Sequence, residues 1–235
     1  MTMDFVLPVL EDDRNRVRRT MAGRVFEAVR QAIVQLQFHP GSPLSEAEIA
    51  RQLGVSRQPV REAFIKLAEA GLVEIRPQRG TYVRLISRRE VENARFLREA
   101  IEVAIVRKAA TEASEADIAA VLNIVAEQQA VAATGDNAAF MSLDEQFHQA
   151  IARSADCVDA WRVIEGLKAQ MDRVRYLSLP QATPLAIIIE QHRHIAEAIA
   201  ARAPERAEQA MHLHLTEILV SLPKLAQENP AYFAP

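Results

Sequence analysis

The pattern of apolar and polar positions changes character near residue 86. Val25, Val29, Ile33 and Leu36 recur three or four apart, which places them on one helical face and predicts a first helix over residues 20–37. His39-Pro40-Gly41 ends it, and Pro43 keeps the next stretch extended. Ser45-Glu46-Ala47-Glu48 has the form of a capping box, Ser45 accepting and Glu48 reaching back, and opens a short second helix that stops at Gly54. Ser56 is placed to cap a third helix in which Val60, Phe64 and Leu67 form the inward stripe, Pro59 falls in the first turn and Gly71 supplies the stop. Residues 72–75 and 81–86 alternate apolar and polar across a Pro77-Gln78-Arg79-Gly80 turn, which predicts a two-stranded wing. After Ser87 only helical periodicity is visible, with helices expected over about 88–112, 115–133, 137–154, 157–179, 184–202 and 204–226. Ser87 with Glu90, Ser114, Asp136 and Thr183 provide starts, and Pro184 and Pro204 fit a first turn. The chain is therefore expected to be mainly α. A mobile arm (1–19) precedes a winged helix-turn-helix (20–86), and an antiparallel six-helix bundle follows (87–228).

Charge sharpens that division. Residues 14–86 hold 13 lysines and arginines against 6 acids, whereas residues 87–235 hold 15 against 21. A basic head on an acidic body suits a polyanion partner for the head alone. Five of the seven glycines also lie in the first 80 residues, where tight turns are expected. The single cysteine, Cys157, excludes an internal disulfide framework and fits a reducing cytoplasm. The acidic N-terminus resembles no signal peptide, and no apolar run is long enough to span a membrane.

The side chains that leave the apolar stripe of the third helix give the head its chemistry. Ser56, Arg57, Gln58 and Arg61 cluster at its N-terminal end. An arginine can bond guanine O6 and N7 together, and a glutamine can do the same to adenine, so this end suits a DNA major groove. Arg51 lies on the preceding helix, which in this motif crosses the sugar–phosphate backbone. Arg79 beside Gly80 at the wing tip allows close approach to a minor groove or a phosphate.

In the body the histidines carry the information. Asp144 and His148 are four apart and share a helix face, flanking the stripe of Phe140, Leu143, Phe147 and Ile151. His192 falls in step with Ile188, Ile195 and Ile199 and points inward, while His194 points out. Periodicity leaves His212 and His214 equivalent, because each belongs to an apolar stripe. One aspartate and three imidazoles gathered in a core would bind Zn²⁺, Ni²⁺, Mn²⁺ or Fe²⁺. Glu145 with His148 also reads E-x-x-H, but a di-iron bundle needs a second copy, and the sequence has none.

The run LSEAEIARQLGVSRQPVREAFIKLAEAGLVEIRPQRGTYV resembles the winged helix-turn-helix of the GntR family of bacterial transcription regulators. Residues 97–102, 144–148, 192–199 and 211–215 resemble the helical FCD effector domain of its FadR subfamily. The resemblance implies DNA contacts at Arg51, Arg57, Arg61 and Gly80, with Gln58 where the family often has threonine. It implies metal ligands Asp144, His148, His192 and His214, choosing His214 over His212, with Zn or Ni favoured. Arg98 matches an arginine that meets an effector carboxylate, although an ion pair with Glu102 on the helix surface accounts for it equally well. Arg173 and Arg175 are weaker candidates, of which one is expected to be a surface residue. Gln191 departs from the family's common glutamate at a position that is not a ligand. The function implied is a cytoplasmic, homodimeric regulator that binds operator DNA and senses a small organic acid beside a divalent metal. It is not an enzyme and has no membrane partner. A regulator sensing the metal itself is the alternative, followed by a metalloenzyme with a DNA-binding appendage.

Overall fold

The computed structural model describes Leu7, residues 20–178 and residues 184–235. Apart from Leu7, the arm expected over residues 1–19, with Arg14, Arg16, Arg18 and Arg19, lies outside the described residues, as does the helix start expected at Thr183. Two compact units emerge, one of residues 1–88 with residues 229–235, the other of residues 89–228.

The first unit contains α1 (Met21–Val34), β1 (Pro43–Leu44), α2 (Glu46–Leu53), α3 (Arg57–Glu69), β2 (Val73–Arg76) and β3 (Gly80–Val83). Helix α1 packs on α3, burying Val25, Val29 and Ile33 against Val60, Phe64 and Leu67. It ends earlier than the apolar pattern suggests because Leu36 adopts a left-handed backbone with φ of 58°. Ser45 caps α2 by accepting from Glu48 N at 3.3 Å, but the Glu48 carboxylate turns to Arg51 and Gln52 rather than back to the cap. Gly54 (φ 66°) and Gly71 (φ 70°) provide the left-handed turns that stop α2 and α3.

The wing gains a strand. β1 pairs with β3, giving an antiparallel sheet of order β1-β3-β2 with Leu44 opposite Thr81 and Ile75 opposite Thr81 across the other edge. Two residues are too few to show alternation, and Pro43 is tolerated because the strand is an edge. The chain terminus returns to this unit. Ile86 N donates to Tyr232 O at 2.8 Å, Ala234 N donates to Ile86 O at 2.9 Å, and Phe233 is buried.

The second unit is helical throughout its described residues: α4 (Arg88–Glu112), α5 (Glu115–Ala132), α6 (Asn137–Ser154), α7 (Val158–Leu167), α8 (Ala169–Ser178), α9 (Leu185–Ala200) and α10 (Pro204–Glu228). Helix α5 packs on α6 and α9, and α10 on α9 and α8. Phe147, Ile151, Trp161, Ile195, Ile199, Met211 and Leu215 belong to one continuous core. The helix expected over 157–179 is broken in two at Lys168. Gly166 weakens the helix just before the break. The ammonium of buried Lys168 is drawn to Glu145 on α6 at 2.5 Å and to Asp172 at 2.7 Å.

Candidate functional site

On the first unit, Arg51, Ser56, Arg57, Gln58, Arg61, Arg79 and Gly80 are all exposed. Ser56 occupies the cap position of α3 but makes no capping hydrogen bond, so its hydroxyl stays available at the surface. Arg51 pairs with Glu48 at 2.5 Å and Arg61 with Glu46 at 3.1 Å, yet their side chains remain 72% and 59% exposed. Hydrogen bonds from Arg51 and then Gln52 hold the Glu48 carboxyl down to about 2. Gln58 donates to Glu62 at 3.0 Å. Arg57 and Arg79 make no ion pair among the described residues. Gly80 sits at φ 99°, a left-handed backbone that a side chain would strain, with open space where a Cβ would stand. The wing turn is fastened by Arg79 N donating to Arg76 O at 3.0 Å and by Tyr82 Oη donating to Arg79 O at 3.1 Å.

In the second unit, Asp144 and His148 on α6, His192 on α9 and His214 on α10 converge. Each offers one ligand atom, these atoms lie within 4.8 Å of one another, and all four residues are buried. His192 Nε2 is 3.3 Å from His214 Nε2, which is 3.2 Å from His148 Nε2. Asp144 Oδ1 is 3.6 Å from His192 Nε2. The periodicity that left His212 and His214 equivalent is resolved, because His214 is buried while His212 is exposed and meets Glu99 at 3.1 Å. His194 likewise faces out and meets Glu190 at 3.0 Å.

The outer nitrogen of each imidazole faces an oxygen. His192 Nδ1 lies 2.8 Å from Gln128 Oε1, His214 Nδ1 lies 3.1 Å from Gln191 Oε1, and His148 Nδ1 lies 2.5 Å from Glu102 Oε2. Carbonyl and carboxylate oxygens only accept, so these partners favour the Nδ1–H tautomers, in which each Nε2 carries a bare lone pair. In those tautomers three lone pairs face one another at little more than 3 Å and repel unless a cation lies between them. A metal–nitrogen bond of about 2.0–2.1 Å places neighbouring ligand nitrogens about 2.9–3.4 Å apart, as octahedral or tetrahedral geometry requires. Asp144 Oδ1 is fully buried and accepts no hydrogen bond among the described residues, so it too lacks a partner that a metal would supply. The donor set fits a divalent ion.

Electrostatics keeps these groups in their ligating forms. Burial would raise the Asp144 carboxyl, but the Arg175 guanidinium in contact with it holds it well below the carboxylate range. Burial pushes His192 down to about 3 and His214 well below the usual imidazole value, so both stay neutral. Phe147 stacks on His192 with ring centres 4.2 Å apart and forms an apolar wall.

A cavity of about 50 Å³ adjoins His214, lined also by Arg98, Arg175, Ile188, Gln191 and Glu217. Arg98 is not on the surface. It is 4% exposed, its Nε donates to Glu102, and its Nη2 is buried without a hydrogen-bond partner.

This architecture matches two family descriptions, "Bacterial regulatory proteins, gntR family" over residues 21–83 and "FCD domain" over residues 94–217. The chain belongs to the GntR family. It is 43% identical over 211 residues to the HTH-type transcriptional repressor RspR of Escherichia coli strain K12, covering 90% of this chain and 92% of that one. The structure of E. coli McbR/YncC has the same fold, with a TM-score of 0.76 at 20% identity over 89% of this chain and 99% of that one. A putative GntR transcriptional regulator from Rhodococcus sp. RHA1 matches with a TM-score of 0.69 at 28% identity, covering 90% and 98%. This GntR protein is a DNA-binding transcription regulator with a ligand-sensing FCD domain, and regulators of this class are not enzymes. No helix among its described residues is long and apolar enough to cross a membrane.

Several residues of the regulator's site escaped the sequence. Arg173 is buried and Arg175 is half-buried with its side chain 14% exposed, so neither is the surface residue expected. Arg173 donates to Gln170 at 3.1 Å, and Arg175 anchors Asp144. Glu102 and Gln128 also went unnoticed as imidazole partners. They lie on α4 and α5, far along the chain from His148 and His192, and no local spacing connects them. The ion pair between Arg98 and Glu102 exists, but in the core rather than on the helix surface.

Proposed function

We propose that this GntR regulator, a member of the FadR subfamily, acts in the cytoplasm as a homodimer that binds a two-fold operator through paired winged helices. Arg57, Gln58 and Arg61 read base edges, while Arg51, Ser56, Arg79 and Gly80 meet the backbone or the minor groove. Asp144, His148, His192 and His214 hold a divalent metal, Zn²⁺ or Ni²⁺ before Mn²⁺ or Fe²⁺. A small carboxylate enters the adjacent cavity and is recognised by Arg98, with Arg175 beside it. The observation that carries the reading is the convergence of three imidazole nitrogens and one unsatisfied carboxylate oxygen next to a cavity lined by two guanidiniums. Effector binding shifts the helical unit between states only by the difference in its affinity for them.

The test is metal analysis of the purified chain followed by operator gel shifts with and without a panel of small carboxylic acids. About one metal per chain is expected, with operator affinity changed by one acid in the parent but not in Arg98→Ala. A chain that takes up no divalent metal, or a response untouched by Arg98→Ala, overturns it. Operator affinity that follows chelation alone, with no acid required, replaces the acid sensor by a metal sensor.

A further inference from the structure

The three imidazoles are not oriented in the same way. His148 meets the Glu102 carboxylate, which accepts whichever way it turns. His192 meets Gln128, whose Nε2 has no hydrogen-bond partner among the described residues. His214 meets Gln191, and that amide has an acid behind it: Gln191 Nε2 donates to Glu217 Oε2 at 3.0 Å. An amide offers oxygen on one side and NH₂ on the other, so it can serve either imidazole tautomer equally well. Glu217 removes the choice. A carboxylate only accepts, so the NH₂ of Gln191 must face it and the amide oxygen must face His214. Nδ1 of His214 must then donate, and its Nε2 is left bare toward His148 and His192.

We propose that Glu217 is a positioning residue for His214, acting through Gln191 to impose the Nδ1–H tautomer that presents Nε2 to the metal. Partners of this outer kind fix ring orientation and tautomer, and their loss costs about 10–100-fold in metal affinity. Glu217, Gln191 and His214 also line the same cavity. A bound molecule that donates a hydrogen bond to Glu217 competes with Gln191 for it. The relay is therefore a physical route by which the cavity's contents reach a metal ligand on α10. The consequence for metal rests on the sensor reading above; the tautomer assignment does not.

The experiment uses the full chain labelled with ¹⁵N-histidine. Long-range ¹H–¹⁵N spectra of the metal-stripped protein report each tautomer, and chelator competition with Co²⁺ then reports affinity and the visible spectrum of the site. The parent shows His214 as the Nδ1–H form alone. Glu217→Gln allows the amide to turn, adds the Nε2–H form and weakens Co²⁺ binding about tenfold or more. The swap Gln191→Glu with Glu217→Gln restores the polarity, since the new carboxylate accepts from both Nδ1–H and the new amide. It returns the parent tautomer and the parent cobalt spectrum, with affinity within about threefold of the parent when the two changes are scored as a coupled pair. Urea unfolding of each metal-free variant checks that the fold is retained. An Nε2–H His214 in the parent, an unchanged tautomer in Glu217→Gln, or a swap that fails to rescue overturns the proposal. Correct tautomers in a parent that binds no Co²⁺ overturn the sensor reading while leaving this assignment standing.

Discussion

The buried carboxylate of Glu102 offers a quantitative test of how the centre is held. It is 3% exposed, lies 2.5 Å from His148 Nδ1, and is in contact with the Arg98 guanidinium. Burial pushes its carboxyl up, but Arg98 and His148 outweigh that and bring it from 4.5 to about 2. Each pKa unit is worth about 1.4 kcal/mol, so the ionised carboxylate contributes about 3 kcal/mol to the metal-free fold at neutral pH. Because the folded value is depressed, that stability is complete above the unfolded value and is lost as pH falls toward 2. Glu102→Gln removes it and leaves Arg98 buried beside a neutral amide, which places the total cost at about 3–5 kcal/mol. Urea unfolding of metal-stripped parent and variant, at one fixed protein concentration, measures the difference. We expect about 3 kcal/mol or more at pH 7, shrinking by roughly 1 kcal/mol at pH 4, where the unfolded parent begins to take up the proton the variant cannot bind. Zinc affinity of the variant should fall about tenfold or more. A difference under about 1 kcal/mol at pH 7, or one that does not change with pH, would refute the reasoning.

Three further outcomes follow from the same geometry. Arg61→Ala should cost about 1–3 kcal/mol in operator affinity and relax base preference without altering unfolding; unchanged discrimination in gel shifts would remove Arg61 from the reading surface. His214→Ala should weaken zinc binding about a hundred- to a thousandfold, a quarter share of the roughly 10–16 kcal/mol typical of a four-ligand zinc site, while His212→Ala should leave it unchanged. Equal effects in chelator titrations would return the two histidines to the ambiguity of their spacing. Phe233→Ala should destabilise the DNA-binding unit by about 3 kcal/mol, since that side chain is 6% exposed. A urea transition identical to the parent's would show that the terminal segment adds nothing to the head.

What the sequence determined by itself is local and periodic. Spacings of three, four and seven located the helices, though not the break at Lys168 or the early end of α1, because a helix repeats every 3.6 residues and its buried face is written into the chain. Turns that need a left-handed backbone announced themselves as Gly54 and Gly71. The inward direction of His192 was legible for the same reason, as were Asp144 and His148 on one face of α6. His214 was legible only through family likeness, since the last helix has two apolar stripes and the tie is broken by which one α8 and α9 cover. Only the tertiary structure could bring Glu102 to His148, Gln128 to His192 and Arg175 to Asp144, because each pair joins residues on different helices with no common period. It also turned a surface ion pair into a buried one at Arg98 and drew residues 229–235 into the DNA-binding unit. Hydrophobic spacing dictates which side of a helix is hidden. Which polar group meets which inside the hidden space is settled by packing, where each buried donor or acceptor must find its partner across the core.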